Sequence, residues 1–238
     1  MTAANPAKQA VRERVWSQLE TAGVVEPGVR GYIPAFEGAG QAAERLAGLP
    51  VWQGAQILEV APDRAQLPVR VRALQDGKLV YMAAPKLATP EPFYLLDRRN
   101  LPVPATEAAD RTVAARVAPS ISVSEMQAID LIVCGSVAVN ERGARLGKGA
   151  GYSDIEVALL AETGLISERT VIATTVHGLQ VLDEDLPEQV HDFRVDLIVT
   201  PERIIWPGSP KRPARLDLDS LSSDQIAAIP VLAQRARR

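Results

Sequence analysis

Cysteine is almost missing from this chain. Cys134 is the only one in 238 residues, so no internal disulfide can form. It sits in an apolar run, Leu131-Ile132-Val133-Cys134, which predicts a buried, inert thiol rather than a nucleophile. Histidine is nearly as scarce. With only His177 and His191, a His-rich metal site and Cys/His zinc coordination are excluded. No Gly-x-Ser-x-Gly elbow is present to carry a serine triad. There is no excess of positive charge: the formal net charge is -3 and the pI about 5.6. Nucleic acid is therefore not an expected partner. No run of about 18 apolar residues occurs, so no membrane span is expected. The opening Met1-Thr2-Ala3-Ala4-Asn5-Pro6 lacks the basic-then-apolar pattern of a secretory leader, and the expected compartment is the cytoplasm.

What is present suits a globular fold with a real core: 47% of residues are hydrophobic and 23% charged. Asn5 and Pro6 have the cap and first-turn chemistry of a helix start. Val11, Val15, Leu19 and Ala22 then recur at helical spacing up to Gly23. Lys8, Arg12 and Glu13 on the other face read as a solvated charged stripe. A loop over Ile33–Gly38, a short helix over Gln41–Leu46 and a strand over Ala55–Val60 follow. Val69 to Leu74 alternates like a strand. The Asp76-Gly77 pair before Lys78–Met82 then predicts a hairpin or tight strand connection. Residues 85–120 are proline-rich and weakly periodic, and predict irregular chain with one short helix.

The second half is more regular. Ile129 to Val139 reads as a buried parallel strand. A glycine loop and a helix from about Asp154 to Glu162 follow, with Ser153 and Glu156 at capping-box spacing. Further strands are expected at Thr170–Val176, Phe193–Thr200 and Arg203–Trp206. This strand–helix–strand order predicts an α/β fold with a mostly parallel sheet and helices on both faces. Residues 1–206 are expected to form that domain. Residues 207–238 would be a linker and a helical tail, over 222–237, docked loosely on it.

Arg145-Leu146-Gly147-Lys148-Gly149-Ala150-Gly151-Tyr152 is the most informative segment. Alternate glycines let backbone N–H groups approach a ligand. The helix that follows adds unpaired N–H groups and positive potential. Arg145 and Lys148 add full charges, so the loop is an anion site suited to phosphates. Its spacing matches neither Gly-x-x-x-x-Gly-Lys-Ser/Thr nor Gly-x-Gly-x-x-Gly.

Residues Ile129–Val133, Gly135, Ala138, Arg142-Gly143, Arg145-Leu146-Gly147, Gly149, Gly151-Tyr152 and Asp154 together resemble the signature of the 5-formyltetrahydrofolate cyclo-ligase family. Leu186-Pro187, His191-Asp192 and Val195–Thr200, and the Lys8-to-Arg12 spacing, are similar to that family too. The resemblance implies a single-domain Rossmann-like sheet. It also implies ATP- and Mg²⁺-dependent closure of 5-formyltetrahydrofolate, a reduced folate, to 5,10-methenyltetrahydrofolate.

On that resemblance, Lys8 and Arg12 reach the ATP phosphates from the first helix, and Arg145 and Lys148 act on the transferring phosphate. Gly147, Gly149 and Gly151 shape the loop, Tyr152 packs on nucleotide or substrate, and Asp154 holds Mg²⁺. Some positions depart from the family pattern. Ser153 replaces a tyrosine, Ile155 an arginine and Asn140 an acidic residue, and Gln66-Leu67 stands where a Glu-x-x-Thr contact is usual. Ile33–Phe36 with Gly147–Asp154 is closer to the divergent, domain-containing branch. Two other readings of the loop stay open: phosphotransfer or ligation on a different small molecule, and a non-catalytic nucleotide- or folate-binding regulator.

Overall fold

In the computed structural model, residues 5–208, 210–213, 216–218 and 221–235 are described. The chain opens with α1 (Pro6–Thr21), α2 (Ala39–Ala47) and α3 (Pro50–Gly54). Then come β1 (Ile57–Val60), α4 (Leu67–Gln75), β2 (Leu79–Ala83), β3 (Phe93–Leu96), α5 (Ala105–Ala108), α6 (Arg111–Val117) and β4 (Ser120–Ile121). The second half holds β5 (Leu131–Cys134), β6 (Ala138–Asn140), β7 (Arg145–Leu146), α7 (Tyr152–Glu162), β8 (Val171–Thr175) and β9 (Val181–Leu182). It ends with β10 (Leu197–Val199), β11 (Ile204–Ile205), α8 (Ser223–Ala228) and α9 (Pro230–Arg235).

Eight strands form one sheet in the order β11-β10-β8-β5-β1-β2-β3-β4. Strands β10, β8, β5, β1 and β2 run parallel, and β11, β3 and β4 extend the edges antiparallel. A small second sheet joins β7, β6 and β9. Alternate residues of β5 enter opposite cores. Leu131 and Val133 pack with α1, α2 and α4, while Ile132 and Cys134 pack with α7 and α9. Both faces are thus buried, which is why these strands read as continuous apolar runs rather than alternating ones.

The fold class is the expected one; several elements differ from expectation. Residues Leu67–Gln75 are a helix, not a strand. The Val-Arg-Val-Arg alternation mimics a strand only because Arg70 points inward. It is 1% exposed and donates to the carbonyls of Ala109 at 2.8 Å and Asp63 at 3.1 Å, and to that of Ala61. Val69 and Ala73 keep the four-residue spacing that matters, and Leu74 is buried beside them. Asp76-Gly77 therefore closes a helix rather than a hairpin, and the turn leads into β2, parallel to β1. Residues 85–120 hold β3, α5, α6 and the start of β4, not one short helix.

The single strand expected over Ile129–Val139 is two strands in two sheets. Gln180 Nε2 donates to the carbonyls of Ser136 and Val137 at 2.9 and 3.1 Å, turning the chain out of the main sheet. Helix α7 has no capping box. Gly151 in the left-handed region (φ 76°) starts it at Tyr152, so Ser153 already lies inside the first turn.

The tail docks firmly. Arg212 donates to the carbonyl of Arg194 at 3.0 Å and pairs with Asp196. Ile229 (1% exposed) and Leu232 (0%) enter the α7-side core. Residues 236 and 237 of the expected terminal helix lie outside the described residues. Leu232→Ala should accordingly destabilise the protein by about 2–5 kcal/mol, the cost of a core leucine truncation. Urea unfolding tests this; a change within about 0.5 kcal/mol, as for a surface residue, would show the tail to be peripheral.

Candidate functional site

The parallel strands set the place of the site. From β1 the chain steps to β2 on one side, and later returns to β5 on the other. Segments leaving the carboxyl ends of β1 and β5 diverge there, opening a crevice at the switch point. Ala61-Pro62-Asp63 leaves β1, and Gly135 leaves β5. A cleft of about 930 Å³ lies over this point, and its lining includes Lys8, Arg12, Asp63, Arg145, Lys148 and Asp154.

Arg145 forms the floor. Its side chain is 2% exposed, its Nη2 donates to the Gly135 carbonyl at 3.2 Å, and its guanidinium lies 4.5 Å from the Phe193 ring centre. Nη1 stands 3.5 Å from Asp154 Oδ1 in the first turn of α7. The buried Nε has no hydrogen-bond partner among the described residues. Gly147 is small for a direct reason: a Cβ there would sit 2.7 Å from Arg145 Nη2. Above the loop, Arg12 Nε donates to the Gly147 carbonyl at 2.7 Å. Gly149 holds φ 101°, and a Cβ on it would approach Arg12 Nη1 to 3.3 Å. The glycine loop is thus gripped between an arginine from α1 and one from β7. Burial, and then the nearby Arg145 charge, lower the Arg12 pKa.

Lys8 and Arg12 do not form a solvated stripe: both are buried, at 7% and 6% exposure. Lys8 Nζ contacts both oxygens of Asp192, at 2.7 and 2.5 Å. Lys148 Nζ contacts Asp63 Oδ1 at 2.9 Å. Tyr152 lines the cleft at the start of α7. All the residues expected to form the site therefore meet in one cleft: Lys8, Arg12, Arg145, Gly147, Lys148, Gly149, Gly151, Tyr152 and Asp154. Lys8, Arg145 and Lys148 are each held by a carboxylate.

Gln66 is not in the cleft. It is fully buried, and its Nε2 donates to Thr175 Oγ1 at 3.1 Å and to the Thr175 carbonyl at 3.2 Å. The carboxylate there is Asp63, three residues earlier, the same spacing as Glu-x-x-Thr; its presence was missed from the sequence. Also missed was Glu59, whose signal is a lone acid inside the apolar run Leu58-Glu59-Val60. It points to the α7 side at 2% exposure and hydrogen-bonds with Glu156, which is 7% exposed.

Both pKa values are raised. For Glu59, well above the usual carboxylate range, the causes are burial first and then the Glu156 charge. Burial pushes Glu156 up to about 7, against the hydrogen bond from Glu59. Burial likewise raises Asp154, with Arg145 opposing.

The sequence profile described as the 5-formyltetrahydrofolate cyclo-ligase family matches residues 4–201. The chain belongs to that family. It is similar to the methenyltetrahydrofolate synthase domain-containing proteins of Homo sapiens (35% identical over 97% of this chain) and Mus musculus (34% over 97%). It spans 62% and 63% of the length of those two relatives. Among solved structures, the 5,10-methenyltetrahydrofolate synthetase of Aquifex aeolicus matches with a TM-score of 0.56 at 17% identity. The match covers 86% of this chain and 94% of that one, and shows the shared fold. No helix among the described residues is long and apolar enough to cross a membrane.

The buried acid pair makes stability depend on pH. A raised folded-state pKa means that protons bind the folded state more tightly. The pair's stabilising contribution is therefore complete below about pH 4.5, the ordinary glutamate value, and is lost as pH rises through about 7. Glu59→Gln, which leaves Glu156 without a second titrating acid, should flatten the fall in melting temperature between pH 5 and 8 relative to wild type. Parallel melting curves for the two proteins across that range would show that the pair is not buried as described.

Proposed function

We propose that this cleft closes 5-formyltetrahydrofolate to 5,10-methenyltetrahydrofolate, with ATP and Mg²⁺ as co-reactants and ADP and phosphate as products. The observation that carries this reading is the placement of Lys8, Arg12, Arg145 and Lys148 around one glycine loop, at the switch point of a family member's sheet. The chemistry explains the need. An N-formyl group is a resonance-stabilised amide and a poor electrophile. Phosphorylating its oxygen provides a leaving group, and the neighbouring amine can then attack the carbon. Little covalent work falls to the protein, which must position the reactants and neutralise phosphate charge.

Lys8, Arg12 and Lys148, with the backbone N–H groups of Gly149–Gly151, would hold the phosphates. Arg145 supplies positive potential from beneath the loop and fixes Asp154. Among the described residues no three His, Cys, Asp or Glu side chains form a metal cluster. That suits an ion bound by one carboxylate and substrate phosphates, the usual habit of Mg²⁺, and Asp154 would be the protein ligand. Mg²⁺ would contribute charge neutralisation. Carboxylates now paired with Lys8 and Lys148 would yield to phosphate oxygens on binding. Tyr152 would pack against nucleotide or folate. The tail, docked along α7, belongs in this reading to the same domain.

Lys148→Ala should weaken ATP binding by about 1–3 kcal/mol, the scale of a lost charge-assisted hydrogen bond, and leaves Asp63 unpaired beside the phosphates. Calorimetric titration with ATP measures this, and unchanged affinity would remove Lys148 from the site. Wild-type protein with 5-formyltetrahydrofolate, ATP and Mg²⁺ should develop methenyl-folate absorbance. ATP bound without any such product would favour phosphotransfer on another small molecule, or a regulator.

A further inference from the structure

Two cations of the cleft are unaccounted for by phosphate binding. Lys86 follows β2 and Arg111 begins α6, and both line the same cleft as the glycine loop. They stand on the β1–β2 side of the switch point. Lys8, Arg12, Arg145 and Lys148 come from α1, β7 and the glycine loop on the other side. Lys8 is paired with Asp192, Lys148 with Asp63, and Arg145 with Asp154. Neither the Lys86 nor the Arg111 side chain has a hydrogen bond or ion pair among the described residues. The charge at this end of the cleft is therefore carried by two exposed cations that are open to an anionic ligand.

The backbone points the same way. Lys86 and Leu87 are the non-glycine residues with positive φ among the described residues, at 61° and 51°. Such a conformation is costly for side-chain-bearing residues and persists where surrounding structure enforces it, often at ligand sites. The enforcing contact is Leu87, which is 1% exposed and packs in the α7-side core. Its burial turns the chain so that Lys86 is left exposed at the cleft while Ala84 and Pro85 line the wall.

We propose that Lys86 and Arg111 form a carboxylate-binding subsite for the glutamyl end of a folate-like substrate, across the cleft from the phosphate loop. This rests on the reading of the second substrate as a reduced folate. A folate presents a planar pterin at one end and glutamyl carboxylates at the other. Phosphate groups cluster the cations of the glycine loop at the reacting end, so the distal carboxylates meet Lys86 and Arg111. An arginine's planar fork matches a carboxylate in two hydrogen bonds, and a lysine adds a point charge.

The test is direct binding to the full chain, without relying on turnover. The ligands are 5-formyltetrahydrofolate, its pteroate analogue lacking the glutamyl group, and ATP. Each is titrated calorimetrically into wild type and Lys86→Ala/Arg111→Ala. Both residues are exposed, and an unchanged melting temperature confirms that the variant folds.

The variant should bind 5-formyltetrahydrofolate about ten- to a hundredfold more weakly. It should bind the pteroate analogue as wild type does and hold ATP within about twofold. Equal loss for the analogue, equal loss for ATP, no loss at all, or a wild-type chain that does not bind the folate would each overturn the subsite. Methenyl absorbance followed in the same samples separates the two ideas. A glutamyl-dependent loss of affinity without methenyl product sinks the proposed reaction and leaves the carboxylate subsite standing. Methenyl product with no glutamyl dependence does the reverse.

Discussion

The burial of Arg145 is the interaction on which the site depends. A guanidinium keeps its charge in almost any surroundings, so burying one requires acceptors and polarisable neighbours arranged around it. Here they come from separate parts of the chain: the Gly135 carbonyl after β5, the Phe193 ring before β10, and Asp154 on α7. Each fixes one wall relative to the others. The glycine loop lies over this group because Gly147 has no side chain to collide with it, and Arg12 closes the loop from above. A site built this way has its positive charge in place before any ligand arrives.

The carboxylates of the cleft have a complementary role. Asp192, Asp63 and Asp154 each hold a cation in a defined position. Without them, Lys8, Arg12, Arg145 and Lys148 would repel one another across a partly desolvated cavity. Burial and the neighbouring Arg145 charge both lower the Arg12 pKa, the direction such repulsion gives. Such ion pairs are weak contributors to net stability, since desolvation offsets their attraction. Their value lies in geometry: each carboxylate fixes where its cation stands in the cleft.

The Glu59–Glu156 pair sits just behind this array and costs stability at neutral pH. Strand β1 pairs on both sides, with Glu59 opposite Tyr81 and Ile132, so its carboxyl has no path to solvent along the sheet. One oxygen of each acid lacks a hydrogen-bond partner among the described residues. An apolar pair of similar volume would pack there more stably. Natural proteins tend to keep such unfavourable polar groups near functional sites, and Glu156 lines the cleft.

Local chemistry along the chain was enough to reveal much of this protein. The apolar runs at 131–134 and 171–175, with a helix between, demanded a parallel sheet. The glycine spacing and charges of 145–152 marked the loop that lines the cleft, and the Asn5-Pro6 start marked α1. Those signals lie within a few residues of one another, which is the range over which propensity and periodicity act. The tertiary structure decided what depends on distant partners. Residues 67–75 became a helix because Arg70 satisfies carbonyls of two other segments. The charged stripe of α1 turned inward because Asp192 and Gly147 receive it. Asp63 rather than Gln66 entered the cleft because Thr175 claims the amide. Whether a polar side chain is solvated, buried in a pair or aimed into a cavity is set by which groups the fold brings opposite it, and no pattern in neighbouring residues encodes that.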